Sequence, residues 1–127
     1  MWARFATGDG RDFTVTGVHV AWPFDPQTQA RQIESLIRRF AKTDGTQIIV
    51  GDFNLTPFSW KLNRLSAATG LRRHATFAAS WPAFPLFPVV LLDNLLSTPD
   101  VRSARVAIGS SGYGSDHRPV TFDLALD

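Results

Sequence analysis

The sequence has no cysteine, one glutamate and only two lysines among its 127 residues. Without thiols there is no disulfide scaffold, no thiolate zinc site and no cysteine nucleophile. The same absence leaves the compartment open, because a thiol-free chain suits oxidising and reducing surroundings alike. Long hydrophobic runs are also missing. A bilayer-spanning helix needs about 20 apolar residues. The most apolar run, Trp81 to Leu92, holds three prolines and stops at Asp93. The N-terminus, Met1-Trp2-Ala3-Arg4-Phe5-Ala6-Thr7, lacks the apolar stretch of a signal peptide. It reads as a strand entering a turn, so the chain starts in mid-fold.

What is present favours a packed core. Apolar residues make up 44% and aromatics 12%, which excludes a disordered tail. At 14.0 kDa the length fits one small domain or part of one, with about 6,700 Å² exposed when folded. Eleven Arg and two Lys stand against ten Asp and one Glu, for a net charge of +2. That balance permits an anionic partner without demanding one. Arg grips phosphate in bidentate fashion where Lys cannot, although a compositional bias towards Arg explains the excess equally well.

Gly8-Asp9-Gly10 between two short apolar runs signals a hairpin. Residues 12–20 alternate, with Phe13, Val15, Gly17 and His19 on one face. Asp25 and Pro26 then open a helix, as cap and first residue. Ala30, Ile33, Leu36, Ile37 and Phe40 form its apolar stripe, and Gly45 stops it. Thr46 to Gly51 reads as a strand buried on both faces. Strand, helix and strand make a βαβ unit whose strands are parallel neighbours. Thr56 and Pro57 open a second helix that uses Phe58, Leu62 and Leu65 and ends at Gly70. A short strand over 71–77 follows, then a Pro-rich loop from Ser80 to Pro88. Strands over Val89–Ser97, Val101–Ile108 and Val120–Leu126 complete the chain, with a flexible Gly/Ser loop at 109–115.

Four polar clusters share one topological position, the carboxyl end of a strand or the loop just past it. They are His19, Asp52 with Asn54, Asp93 with Asn94, and Asp116 with His117. In α/β sheets ligands bind at that edge. Singly, each has an ordinary structural explanation: a strand-end histidine, an Asx turn, a cap. Asp93 is the hardest to explain that way, because an unpaired carboxylate within Val-Val-Leu-Leu-Asp-Asn-Leu-Leu costs on the order of several kcal/mol on burial. Four such clusters at one rim point to a shared site.

Gly51-Asp52-Phe53-Asn54, Leu92-Asp93 and Gly114-Ser115-Asp116-His117-Arg118-Pro119-Val120 resemble, in order and spacing, the endonuclease/exonuclease/phosphatase superfamily. That superfamily includes the DNase I-like enzymes and the exonuclease III-like repair nucleases. Val18-His19 and the Pro-containing loop after it resemble the family's central histidine motif. The resemblance runs from about residue 3 to 125. It implies an α/β (α+β) fold: half of a DNase I-like β-sandwich, a mixed sheet flanked by two helices with its other face apolar. It also implies metal-assisted hydrolysis of phosphate esters with Mg²⁺ or Mn²⁺, the ions that carboxylate oxygens suit.

Carried over by position, His117 resembles the general base or phosphate-polarising residue, oriented by Asp93. Asp52 resembles the residue that positions or deprotonates the attacking water and shares the metal. Asn54 would donate its amide to a phosphoryl oxygen. Asp116 matches a metal-ligand position, and His19 would bind the scissile phosphate or donate a proton.

Family members are two-layer sandwiches much longer than this chain. The resemblance is to their C-terminal half, so residues 1–127 are expected to be that half of the domain. The other half would supply an Asn and a metal-binding Glu, and neither motif is present. Glu34 falls within the first helix and reads as a solvated residue. Asn94 stands where the family commonly has a His or an aromatic. A sheet built for a sandwich but left bare would expose a large apolar patch, so self-association as a two-fold homodimer is expected.

The competing reading is a catalytically inactive half-domain, a binding or self-associating module whose Arg72, Arg73, Arg102, Arg105 and Arg118 hold nucleic acid by charge. Trp22, Phe24, Trp81, Phe84 and Phe87 lie in two loops. They could stack on bases or pack beneath the loops. Phosphate esters, nucleic acids among them, are the expected substrates. Which ester is not legible.

Overall fold

Alternation gives way at Gly8-Asp9-Gly10, and there the chain reverses, with Gly10 at φ +84°. In a computed structural model, residues 1–74, 79–84 and 89–127 are described, Ala104 in its backbone alone. Strands β1 (Trp2–Ala6) and β2 (Asp12–His19) pair antiparallel across this turn. Residues 75–77 of the expected short strand and Phe87 of the Pro-rich loop lie outside the described residues.

Helix α1 spans Pro26–Phe40, and the Asp25 carboxylate accepts from Thr28 N at 3.0 Å. Such a cap contributes about 0.5–2 kcal/mol. The helix ends at Ala41, short of Gly45. Gly45 instead takes φ +74° in the turn into the next strand. Ile33 and Phe40 are buried as the stripe requires. Ala30 is exposed, and Gln29 takes the inward place. The Gln29 amide donates to Ala21 O at 2.9 Å and its oxygen accepts from Lys61 Nζ at 2.6 Å. A buried amide is tolerated when its hydrogen bonds are met in this way.

Strand β3 (Thr46–Asp52) runs parallel to β2, from Phe13↔Thr46 to His19↔Asp52. The βαβ unit is as the sequence predicts. Helix α2 starts later than expected, at Trp60, and runs to Thr69 with Ser59 as its cap. Thr56-Pro57 opens a turn instead, closed by Ser59 N donating to Thr56 O at 2.9 Å. Proline second in a four-residue turn is as favourable as proline opening a helix. Phe58, expected in the core, is therefore exposed.

Strands β4 (Arg72–His74) and β5 (Asp93–Ser97) complete a five-stranded sheet of order β1-β2-β3-β5-β4. Regular pairing with β3 begins only at Asp93, not at Val89. Val90 pairs with Trp81 in an isolated bridge, and Leu92 O accepts from Phe53 N. Strands β6 (Val101–Ile108) and β7 (Val120–Leu126) form a separate antiparallel hairpin. The register shifts between Ser103 and Arg105. That shift lets Val101 and Val106 both oppose inward residues of β7, Leu126 and Phe122.

The five-stranded sheet has two different faces. Ile49, Leu96 and Val20 pack with Ile33, Phe40, Leu62 and Leu65 of the two helices. On the opposite face Ile48, Leu95 and Val101 are buried, with Phe13, Val15, Val50 and the inward residues of β7 against them. That face is apolar, as expected. The hairpin covers part of it. Two cavities, of about 410 and 340 Å³, remain among Val50, Gly51, Phe122 and Arg118 and among Phe13, Ile48, Leu124 and Leu126.

Candidate active site

Register alone brings three site residues into one row. His19 pairs with Asp52 across β2 and β3, and Asp52 pairs with Asp93 across β3 and β5. Directly paired residues project from the same face, here the face that meets the hairpin. Asp93 opens its strand rather than closing it. Because β5 runs antiparallel to β3, its first residue reaches the same rim as the last residues of β2 and β3.

His117 comes from the other layer, in the loop between β6 and β7. Its Nδ1 lies 2.9 Å from Asp93 Oδ2. A carboxylate on Nδ1 holds the ring in one tautomer and leaves Nε2 free. That Nε2 lies 3.7 Å from Asp52 Oδ2, and His19 Nε2 lies 3.6 Å from the same oxygen. Both separations exceed a hydrogen bond, so this oxygen keeps its lone pairs for another partner. The His19 side chain is 73% exposed, whereas those of Asp52 and His117 are 17% and 18% exposed. The site is an open rim over a half-buried floor.

Burial pushes the Asp52 carboxyl above its ordinary range. The Asn54 backbone N–H, which donates to Oδ1 at 2.7 Å, opposes that shift, as does His117. Asp93 reinforces it, and His19 opposes it weakly. A carboxylate that costs free energy to ionise is both a stronger base and a better cation ligand.

Asn54 sits differently from the expectation of a free phosphate donor. It is buried, at φ +48°, and its amide nitrogen donates to Val20 O at 2.8 Å. Among the described residues its side-chain oxygen has no partner. Asn94 is likewise buried, donating to Leu55 O and Leu92 O. Asp116 is exposed at the rim, with Trp81 Nε1 at 3.4 Å from its carboxylate. Glu34 pairs with Arg64 of α2, away from this row. Among the described residues no group of three His, Asp or Glu is placed to hold a metal ion.

The sequence matches the family described as Endonuclease/Exonuclease/phosphatase family over residues 2–117. The chain belongs to the endonuclease/exonuclease/phosphatase family. Solved structures agree on the fold of this family member. An endonuclease/exonuclease/phosphatase family protein from Bacteroides thetaiotaomicron is 16% identical with a TM-score of 0.74, over 99% of this chain and 55% of that one. The mannosyl-6-phosphatase Bt3783 from B. thetaiotaomicron VPI-5482 is 15% identical at TM-score 0.68, over 98% and 56%. D. rerio TDP2 complexed with single strand DNA product is 16% identical at TM-score 0.69, over 94% and 58%. At such identities the likeness is one of fold. The chain spans about half the length of these proteins. No curated protein matches the sequence significantly.

Ser80, which the sequence does not single out, also shapes this candidate site, as do Gly51 and the 109–115 loop. Ser80, fully buried, donates its hydroxyl to Asp93 Oδ2, the oxygen that also meets His117. Its carbonyl accepts from Arg118 N at 2.8 Å, tying the hairpin loop to the sheet. A lone serine before Trp-Pro carries no signal of this. Gly51 takes φ +143°, and a side chain there would meet Val18 O at 2.1 Å. The loop at 109–115, expected to be flexible, is closed by Gly109 N to Pro119 O and Ser115 N to Gly112 O, both 2.9 Å.

Proposed function

We propose that this chain is the C-terminal half of a divalent-metal-dependent phosphoesterase or nuclease domain, and that it hydrolyses phosphate esters through Asp52, His117 and His19. The observation that carries the reading is the convergence of His19 and His117 on one carboxylate oxygen of Asp52, with His117 held from behind by Asp93. Members of the family generally use divalent metals, and the solved structures that share this fold include a mannosyl-6-phosphatase and a TDP2 complexed with single strand DNA product.

In this reading Asp52 Oδ2 orients a water and takes its proton as the water oxygen attacks phosphorus. Its raised affinity for a proton suits that task. His117 Nε2, fixed by the Asp93 contact, faces the phosphoryl oxygens, and in its protonated form it hydrogen-bonds the developing charge. His19, open to solvent, supplies the proton that the leaving oxygen takes. Asn54 acts through the turn: its N–H holds Oδ1 so that Oδ2 points at the rim.

The donor chemistry suits Mg²⁺ or Mn²⁺. Mg²⁺ is commonly bound through one or two carboxylates, with waters and substrate phosphate completing its shell. Asp52 and Asp116 would supply those oxygens. The ion would neutralise charge on the non-bridging oxygens.

The test is hydrolysis of bis(p-nitrophenyl) phosphate and a labelled oligonucleotide by the full chain with Mg²⁺ or Mn²⁺. Activity lost in both Asp52→Ala and His117→Ala, by about 10²-fold or more, is the expected result. Salt-sensitive binding of the oligonucleotide without turnover by the unaltered chain would replace this reading with the binding-module one.

A further inference from the structure

We infer that Trp22, Phe24 and Trp81 form a stacking shelf that takes an unpaired nucleobase next to the phosphate held at the rim. The inference rests on the phosphoester reading above and narrows its substrate class to a ring-bearing ester, single-stranded nucleic acid.

The three rings are continuous with the site. Trp81 points its indole N–H at the Asp116 carboxylate, 3.4 Å away. Trp22 meets Trp81 edge to face, with centroids 6.1 Å apart and planes at 81°. Phe24 lies nearly parallel to Trp22, with centroids 6.3 Å apart and planes 11° apart. Phe24 is 91% exposed, so one whole ring face meets water. Trp22 is half exposed and Trp81 half-buried, so the exposed end of the row is Phe24.

The backbone that carries the rings is tied down by hydrogen bonds. Ala21 N donates to Gln32 Oε1 at 2.7 Å, and Ala21 O accepts from Gln29. Val20 N donates to Asp52 O and Asp25 N to Trp22 O, at 2.8 and 3.0 Å. Trp81 exchanges backbone hydrogen bonds with Val90. A backbone already ordered in this way has little left to lose on binding. An exposed aromatic pair on such a backbone, on the doorstep of a phosphate site, matches a base-stacking platform.

A bilayer is the other occupant such a patch could serve. Interfacial patches carry Lys and Arg beside their aromatics. Residues 20–25 and 80–84 contain neither, and the one charge among them is Asp25. A base is neutral and planar, and its charge resides on the phosphate. That matches an uncharged shelf beside a separate phosphate-facing row.

The experiment compares two labelled eight-residue oligomers of equal charge, oligothymidylate and its abasic counterpart, binding the full chain by fluorescence anisotropy in EDTA. The abasic oligomer is expected to bind about 5- to 100-fold more weakly, the range that stacking of one base supports. Phe24→Ala should collapse this difference, and Phe24→Trp should keep it. Equal affinity for the two oligomers, or a difference unchanged in Phe24→Ala, overturns the shelf. So does binding of phosphatidylcholine–phosphatidylserine vesicles that Phe24→Ala abolishes. Because nothing is hydrolysed here, a base preference in a chain inactive towards esters would sink the catalytic reading alone. Hydrolysis without base preference would sink the shelf alone.

Discussion

Replacing Gly51 by alanine tests how the rim is built. At φ +143° Gly51 occupies backbone space nearly closed to other residues, costing about 1–3 kcal/mol for an L side chain. The added methyl would also lie 2.1 Å from Val18 O and 3.1 Å from Val18 C and N. Those atoms are backbone of the paired strand β2, so nothing flexible can move aside. Overpacking of this kind costs about 1–3 kcal/mol more. The sum, about 2–6 kcal/mol, is a large share of the roughly 5–15 kcal/mol that holds a small domain together. Gly70→Ala is the matched control. Gly70 also has positive φ, +71°, but open space around it, so only the conformational cost of about 1–2 kcal/mol remains. Urea unfolding of both variants reads the difference. A Gly51→Ala variant no less stable than Gly70→Ala would show that β2 and β3 do not approach as described.

Two further outcomes are expected. Removing the hydroxyl in Ser80→Ala takes from Asp93 Oδ2 a contact that holds it against His117. Hydrolysis of bis(p-nitrophenyl) phosphate should fall severalfold while the circular dichroism of the fold is kept; unchanged hydrolysis refutes a positioning role for Ser80. The second concerns association. We propose that a second copy closes the gap between the sheet and the hairpin, which exposes Phe122, Leu124 and Leu126 to a cavity of about 340 Å³. The sedimentation mass should then be that of a dimer, and a monomer at all concentrations removes the proposal.

Much of the scaffold is written in short-range patterns. The alternation in 12–20, the Asp25-Pro26 cap and the apolar run at 48–50 each specify one element and little else, and each forms where it is read. Thr56-Pro57 misleads because proline serves a turn and a helix start equally well. Val89–Leu92 misleads because Val89 and Val90 bond back to Ser80 and Trp81, and Leu92 O to Phe53 N, rather than along β3, which no local pattern encodes. The site divides in the same way. Asp52 and Asp93 stand out as carboxylates among apolar residues. Ser80 does not, since its role exists only once Val90 and Arg118 have positioned its backbone. Asn54 reads in the sequence as a free amide, yet it is buried and donates to Val20, 34 residues away.

The imidazole of residue 117 rides on the hairpin, and the carboxylate it leans on belongs to the larger sheet. The two halves of that couple therefore sit on separately built slabs. A molecule that changed the spacing of the slabs on seating between them would also change the dyad, and by linkage the dyad's geometry would change how well that molecule binds.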